Sequence, residues 1–125
     1  MEASPLEARV RQRPGLAIID LAGQIDATAG DALGHAYAEA EREPGSIVLL
    51  NFASIDYINS TGIALIVGIL SQARRTNRRL MSTGLSSHFA EIFEITRLSD
   101  FMPMVADEAA ALANVHGSVE DAVAR

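Results

Sequence analysis

The residues best equipped for chemistry lie together in Asp56-Tyr57-Ile58-Asn59-Ser60-Thr61-Gly62. Two adjacent hydroxyls, Ser60 and Thr61, stand between a short apolar, β-branched run at 46–52 and a longer apolar run at 63–70. The first run reads as a buried strand. The second is apolar on every face and too long for a typical strand, so a mostly buried helix is expected there, spanning 60–75. A polar turn should join the two. A hydroxyl at a helix start lies among unpaired backbone N–H groups and the positive end of the helix dipole. Such a position can cap the helix or hold a phosphate, and both readings stand at this stage. Phosphorylation of Ser60 would add about 1.5 to 2 negative charges there. A partner docked over that surface would then meet a strongly hydrated dianion, and local repulsion could release it without refolding.

Other chemistries find less support. Ser60 as a nucleophile would need an orienting base, and no local motif supplies one. The three histidines, His35, His88 and His116, are scattered and show no metal-site spacing, so surface or helix-face roles are expected. There is no G-x-G-x-x-G, P-loop or G-x-S-x-G motif. No cofactor and no metal are expected, and the chain does not read as an enzyme. Asn59-Ser60-Thr61 matches a glycosylation sequon, but the N-terminus shows no secretory signal, so the match reads as accidental. Arg74, Arg75, Arg78 and Arg79 cluster at the C-terminal end of the expected helix, where they complement its dipole.

Composition narrows the class. The chain has 125 residues, 49% hydrophobic and 21% charged, which suits one globular domain with a real core. It has no cysteine, excluding disulfides and thiol chemistry. The longest apolar run is too short to span a bilayer. A cytoplasmic protein is expected. The net charge of −6 argues against direct contact with nucleic acid.

The elements that must position Ser60 follow from periodicity and punctuation. Weak alternation at 6–11, a Pro14-Gly15 turn and an apolar run at 16–21 predict a hairpin whose second strand is the more central. Gly23-Gln24-Ile25-Asp26 should end that strand, with Asp26 capping a helix over 27–42 in which Ala29, Leu33, Ala36, Tyr37 and Ala40 share a face. After the Ser60 helix, Asn77 can take a left-handed conformation. A strand at 79–83 and a short helix bearing Leu85, Phe89, Ile92 and Phe93, capped by Ser86 or Ser87, should follow. Residues 101–105 read as an edge strand, since Pro103 is tolerated only at an edge. Asp107 should cap a last helix at 108–113, and 114–125 reads as a tail or as an extension of that helix. The result is an α/β domain with a mixed sheet of about five strands and about four helices. The Ser60 helix forms a parallel, right-handed crossover.

With these elements placed, the chain resembles a STAS domain of the stand-alone anti-sigma factor antagonist kind, over residues 6–112. Leu21-Ala22-Gly23-Gln24-Ile25-Asp26 resembles the family's L-x-G-x-[LI]-D. Residues 47–52 are similar to its hydrophobic strand, and Tyr57-Ile58-Asn59-Ser60-Thr61-Gly62-Ile63 is similar to its [FY]-[ML]-D-S-[ST]-G-[LI]. The resemblance implies that Ser60 is phosphorylated by an anti-sigma factor that is also an ATP-using serine kinase. The unphosphorylated protein would bind that factor and free a sigma factor, and a PP2C-type phosphatase would restore it. Two departures stand out. Asn59 replaces the usual aspartate, keeping its shape and an accepting oxygen but not its charge. Phe93-Glu94-Ile95-Thr96-Arg97-Leu98 lacks the glycine of L-x-x-x-G-L.

The leading expectation is therefore a binding module switched at Ser60, with Thr61 as a secondary acceptor. Its binding surface should combine Asp56, Tyr57, Asn59, Ser60, Thr61 and Gly62 with Gly23, Gln24 and Asp26, at the sheet end where ligands gather in α/β folds. The alternative is a constitutive STAS scaffold in a transport or stress-signalling complex, not phosphorylated, for which Asn59 is the best support.

Overall fold

The computed structural model describes residues 4–115. Strand β1 (Glu7–Arg13) turns through Pro14-Gly15 into β2 (Leu16–Ile25), and the two pair antiparallel. A single 3-10 turn (Ala27–Ala29) leads into α1 (Gly30–Ala40). Strand β3 (Ile47–Ile58) then pairs parallel to β2. Helix α2 (Ser60–Arg75) crosses over to β4 (Leu80–Thr83), which pairs parallel to β3. Helix α3 (Ser87–Ile95) and the single turn α4 (Leu98–Phe101) follow, and a further helix, α5, is formed at 108–115. The sheet order is β1-β2-β3-β4.

Strand periodicity decides how the layers form. Alternate residues of a strand face opposite sides, so β2 and β3 feed two cores. Ala17, Ile19, Leu21, Val48, Leu50 and Phe52 meet α1 to α4 through Leu33, Tyr37, Ile66, Ile69, Phe89, Phe93 and Leu98. Leu16, Ile18, Ile47, Leu49 and Met81 lie on the other face under Ala111, Leu112 and Val115 of α5. Both faces of the central strands are covered, which is why they read as continuous apolar runs. Asp107 caps α5, its carboxylate accepting from the Ala110 N–H at 2.9 Å.

Several expectations are corrected. Among the described residues the sheet has four strands, close to the expected number of about five. The segment expected as an edge strand begins as α4, and only Met104 bridges Ser82 beside β4. Arg97, in a left-handed conformation and paired with Asp100 at 2.9 Å, turns the chain into α4. The helix expected over 27–42 starts as the 3-10 turn and ends at Ala40. Strand β3 runs six residues past Phe52, to Ile58, because β2 continues beside it as far as Ile25. Helix α2 has the expected bounds but is not buried all round: Ala64, Val67 and Gly68 face outward. It lies on the sheet as an outer layer. Asn77 takes the expected left-handed conformation. His116 and most of the 114–125 tail lie outside the described residues.

Candidate functional site

The parallel pairing of β2 and β3 brings the two sequence segments of the expected site together. Gly23 pairs with Ile55, Gln24 with Tyr57 and Ile25 with Ile58, with register shifts after Asp20 and after Gly23. Gly23 takes φ +100°, open to glycine and strained for other residues, and a Cβ there would lie 2.5 Å from the Pro5 carbonyl oxygen. Asp56 and Tyr57, expected in a turn, are the two residues that precede the last residue of β3, and Gly23 to Ile25 belong to β2. The polar connection shrinks to Asn59 alone.

Asn59 makes the transition from strand to helix. Its backbone N–H donates to the Ile25 carbonyl at 3.2 Å, continuing the ladder. Its Oδ1 accepts from the Gly62 N–H at 2.8 Å, and its own carbonyl accepts from Ile63 at 2.9 Å. Asn59 is therefore the N-cap of α2. The capping role considered for Ser60 belongs to its neighbour. Ser60 and Thr61 occupy the first turn, exposed, and no carboxylate or histidine among the described residues is hydrogen-bonded to the Ser60 hydroxyl. Gly62 is buried against Ile25, and a Cβ at this position would overlap the Ile25 carbonyl.

Asp26 caps the 3-10 turn, accepting from the Thr28 hydroxyl at 2.6 Å and the Thr28 N–H at 2.9 Å. The Thr28 hydroxyl, then its N–H, hold the carboxyl below the ordinary aspartate range. Tyr57 is half exposed, with its ring edge-on to Phe89 at 6.5 Å, and Phe89 in turn meets His88 at 5.0 Å. Gln24 donates its backbone N–H to the Ser4 carbonyl at 3.2 Å. Asp56 lines a shallow groove with Glu7, Ala22, Gly23 and Ser54, which does not include Ser60. His35 is exposed on α1, and the described residues hold no cluster suited to a metal ion.

Sequence reasoning missed the outer face of α2. From Ser60 and Thr61 it continues through Ala64, Val67, Gly68 and Ser71 to Arg74, whose guanidinium stacks on the exposed ring of Phe101 at 4.5 Å. The signal was present as small residues three and four apart, hidden by the hydrophobicity of Ala64 and Val67. Among the described residues no helix is long and apolar enough to cross a membrane.

These features define an α/β domain with a mixed four-stranded sheet and an exposed serine at the start of a parallel crossover helix. The family model described as STAS domain matches residues 7–122. The anti-sigma-B factor antagonist of Listeria monocytogenes is 31% identical over 84 residues, 67% of this chain and 74% of that protein. An anti-sigma factor antagonist from Mycobacterium paratuberculosis has the same fold, with a TM-score of 0.74 at 14% identity over 89% of this chain and 94% of that one. The Bacillus cell fate determinant SpoIIAA in its phosphorylated form superposes with a TM-score of 0.66 at 19% identity, over 86% and 98% of the two chains. The chain belongs to the STAS domain family, in its anti-sigma factor antagonist branch.

Proposed function

We propose that this protein binds an anti-sigma factor of the ATPase-kinase type, frees a sigma factor by doing so, and is released when Ser60 is phosphorylated. The observation that carries the reading is the division of labour at the start of α2. Asn59 caps the helix, which leaves the exposed Ser60 hydroxyl uncommitted. In the transfer, the Ser60 oxygen bonds to the γ-phosphorus of the kinase's ATP, the bond from that phosphorus to the bridging oxygen breaks so that ADP leaves with the electron pair, and the hydroxyl proton passes to a base of the kinase. A PP2C-type phosphatase would reverse the state by hydrolysis. ATP and its magnesium belong to the kinase, so the chain needs no catalytic machinery or cofactor of its own. It works in the cytoplasm and touches neither DNA nor the bilayer. Thr61, equally exposed and one residue on, is the secondary acceptor.

The contact surface centres on Ser60 and Thr61, with Asn59 and Gly62 shaping the turn. Tyr57 and the Gly23-Gln24-Ile25-Asp26 strand end lie beside it, with Asp56 at the margin. A phosphate dianion placed in such an interface would lose its hydration without gaining a compensating cation, and that repels the partner.

The test is capture of partners from the native host, with mass spectrometry on Ser60 and Thr61. An ATPase-type anti-sigma factor should accompany only the unphosphorylated form. Ser60→Ala should retain the partner, whereas Ser60→Asp should lose it. Equal retention by both variants, with no phosphate under any growth condition, would instead favour a constitutive scaffold.

A further inference from the structure

A pocket of about 240 Å³ lies on the sheet face turned away from α2, beside the segment that leads into α5. Ile18 and Leu49 supply its apolar lining from the strands, and Ala53 and Ala106 are exposed at its rim.

One polar group in this lining has no explanation in the fold. Thr83, the last residue of β4, lines the pocket and is only 8% exposed. Its hydroxyl has no hydrogen-bond partner among the described residues. The hydroxyl of the preceding Ser82 is sealed from solvent, whereas that of Thr83 is not. Valine would fill the same volume without a polar group to desolvate, so a hydroxyl this deep calls for a partner. Asn51 stands next to Thr83 in the register of β3 and β4 and lines the same pocket. Its Oδ1 accepts from the Ala53 N–H at 3.1 Å and its Nδ2 donates to Asp20 at 2.8 Å, which fixes the carboxamide. A second Nδ2 hydrogen is left uncommitted among the described residues.

Charge decides what such a pocket accepts. The ionisable residues lining it are Asp107 and Glu108, and among the described residues no cation lines it. Both carboxylates are already compensated. Glu108 is held by Arg11 at 2.9 Å and by Arg13 at 3.4 Å, from the β1 side. Asp107 accepts from the Ala110 N–H at 2.9 Å, at the helix start where the α5 dipole offsets its charge. An anionic ligand would therefore meet two carboxylates and no counter-ion. A cationic one would meet carboxylates that are neutralised already.

We propose that this pocket binds a small neutral polyol, with its carbon chain against Ile18 and Leu49 and its hydroxyls bonded to Thr83, Asn51 and Asp107. A hydroxyl both donates and accepts, so one can give its hydrogen to the Asp107 carboxylate while another accepts from the Asn51 amide. The Thr83 hydroxyl serves in either sense. The site is separate from the Ser60 surface and does not require that Ser60 be phosphorylated.

The experiment follows the backbone amides of the full chain by 15N NMR during titration with glycerol, erythritol and xylitol. Acetate and ethylammonium serve as charged probes. At least one polyol should give saturable shifts confined to Asn51, Ala53, Thr83, Gly84 and the start of α5. Thr83→Val should weaken that binding at least about threefold, the scale of one hydrogen bond. Ala106→Leu, which fills the pocket from its exposed rim, should abolish it. Shifts that rise without saturating, or that spread over the surface, overturn the proposal. Native affinity in Thr83→Val also overturns it, as does acetate or ethylammonium saturating the same amides as tightly as the best polyol. If Thr83→Val does not fold, Ala106→Leu decides, and native affinity in that variant overturns the site.

Discussion

The α-carbon of Gly62 lies so close to the Ile25 carbonyl that no side chain fits between them. This contact sets the first turn of α2 directly against the end of β2, and the Asn59 N–H bonded to the same carbonyl at 3.2 Å holds it there. The glycine is not needed for a left-handed backbone, since it is an ordinary helical residue within α2. It is needed for space. Two segments far apart in sequence are joined at this point, and Ser60 is exposed because the residue two positions on is pressed inward.

Gly62→Ala should therefore destabilise the protein by about 2 kcal/mol or more, the usual scale for a forced steric overlap against backbone that cannot yield. Gly68, in the middle of the same helix, has open space where a Cβ would go. Gly68→Ala should stabilise by about 0.5 to 1 kcal/mol, through helix propensity and a less flexible unfolded chain. Urea unfolding of the two variants checks the contrast. A Gly62→Ala protein as stable as the native one would show that the contact is not tight.

Much of this arrangement was legible in the sequence because it rests on local rules. Helix α2 begins at Ser60 and ends at Arg75 as its apolar pattern requires, and Asp26, Ser86 and Asp107 cap the elements they precede. What could not be read depends on pairing partners. The six residues of β3 beyond Phe52 include Ser54 and Asp56, which have poor strand propensity, and they are extended because β2 pairs with them. Residues 101–105 failed as a strand for the opposite reason. Ser82 exchanges bonds with Pro103 and Val105 at 2.9 and 2.8 Å, but Phe101 and Met102 close the α4 turn instead of extending the ladder. At the site, asparagine, serine and threonine all qualify as caps. The choice of Asn59 is set by the strand position that precedes it, which sequence composition does not encode.

Asn59→Ala should lower stability by about 1 kcal/mol, because the Gly62 N–H loses its acceptor at a partly buried position. Ser60→Ala, which removes an exposed hydroxyl from the first turn, should change stability by less than about 0.5 kcal/mol. Thermal unfolding of the two unphosphorylated variants distinguishes them. Equal losses would mean that the cap is shared.

A second polar relationship predicts behaviour in acid. Arg11 donates through Nε and Nη2 to Asp20 and through Nη2 to Glu108 at 2.9 Å, while Asn51 donates to Asp20 at 2.8 Å. The Arg11 hydrogen bond, followed by that from Asn51, outweighs burial and lowers the Asp20 pKa from its ordinary 3.8. A depressed folded-state pKa contributes stability that is fully present above the unfolded value and is lost as pH falls through the folded one. Asp20→Asn should thus be less stable than the native protein at pH 7, by about 1 kcal/mol or less given solvent screening. The gap should close as pH falls below 3.8. Urea midpoints measured from pH 7 down to pH 2 test this, and a gap independent of pH would exclude the linkage.

The last relationship links α1 to the loop after α2. Arg78 donates to the carbonyls of Ser46 at 2.8 Å, Glu43 at 3.1 Å and Glu41 at 3.3 Å, and to the Ser46 hydroxyl at 2.8 Å. These oxygens lie just beyond the end of α1, where a cation is favoured and only a guanidinium fork reaches several acceptors together. Arg78→Lys should cost about 1 to 2 kcal/mol, and Arg78→Ala about 2 to 3 kcal/mol. Tyr37, on the same helix, has a buried hydroxyl with no protein partner among the described residues. Burial, with Glu41 adding, pushes its phenol up to about 12 from an ordinary 10.0, while Arg78 opposes the shift. With the folded-state pKa raised, the stability present below pH 10 falls as pH climbs towards 12, because the unfolded chain releases this proton first. Tyr37→Phe should be neutral or about 1 kcal/mol more stable at pH 7, since it removes a buried polar group without orphaning a partner. It should also abolish the part of the alkaline stability loss that falls between those two values. Denaturant midpoints from pH 7 to 12 for the two proteins decide it. An unchanged alkaline slope in Tyr37→Phe would mean that the phenol ionises freely in the folded state.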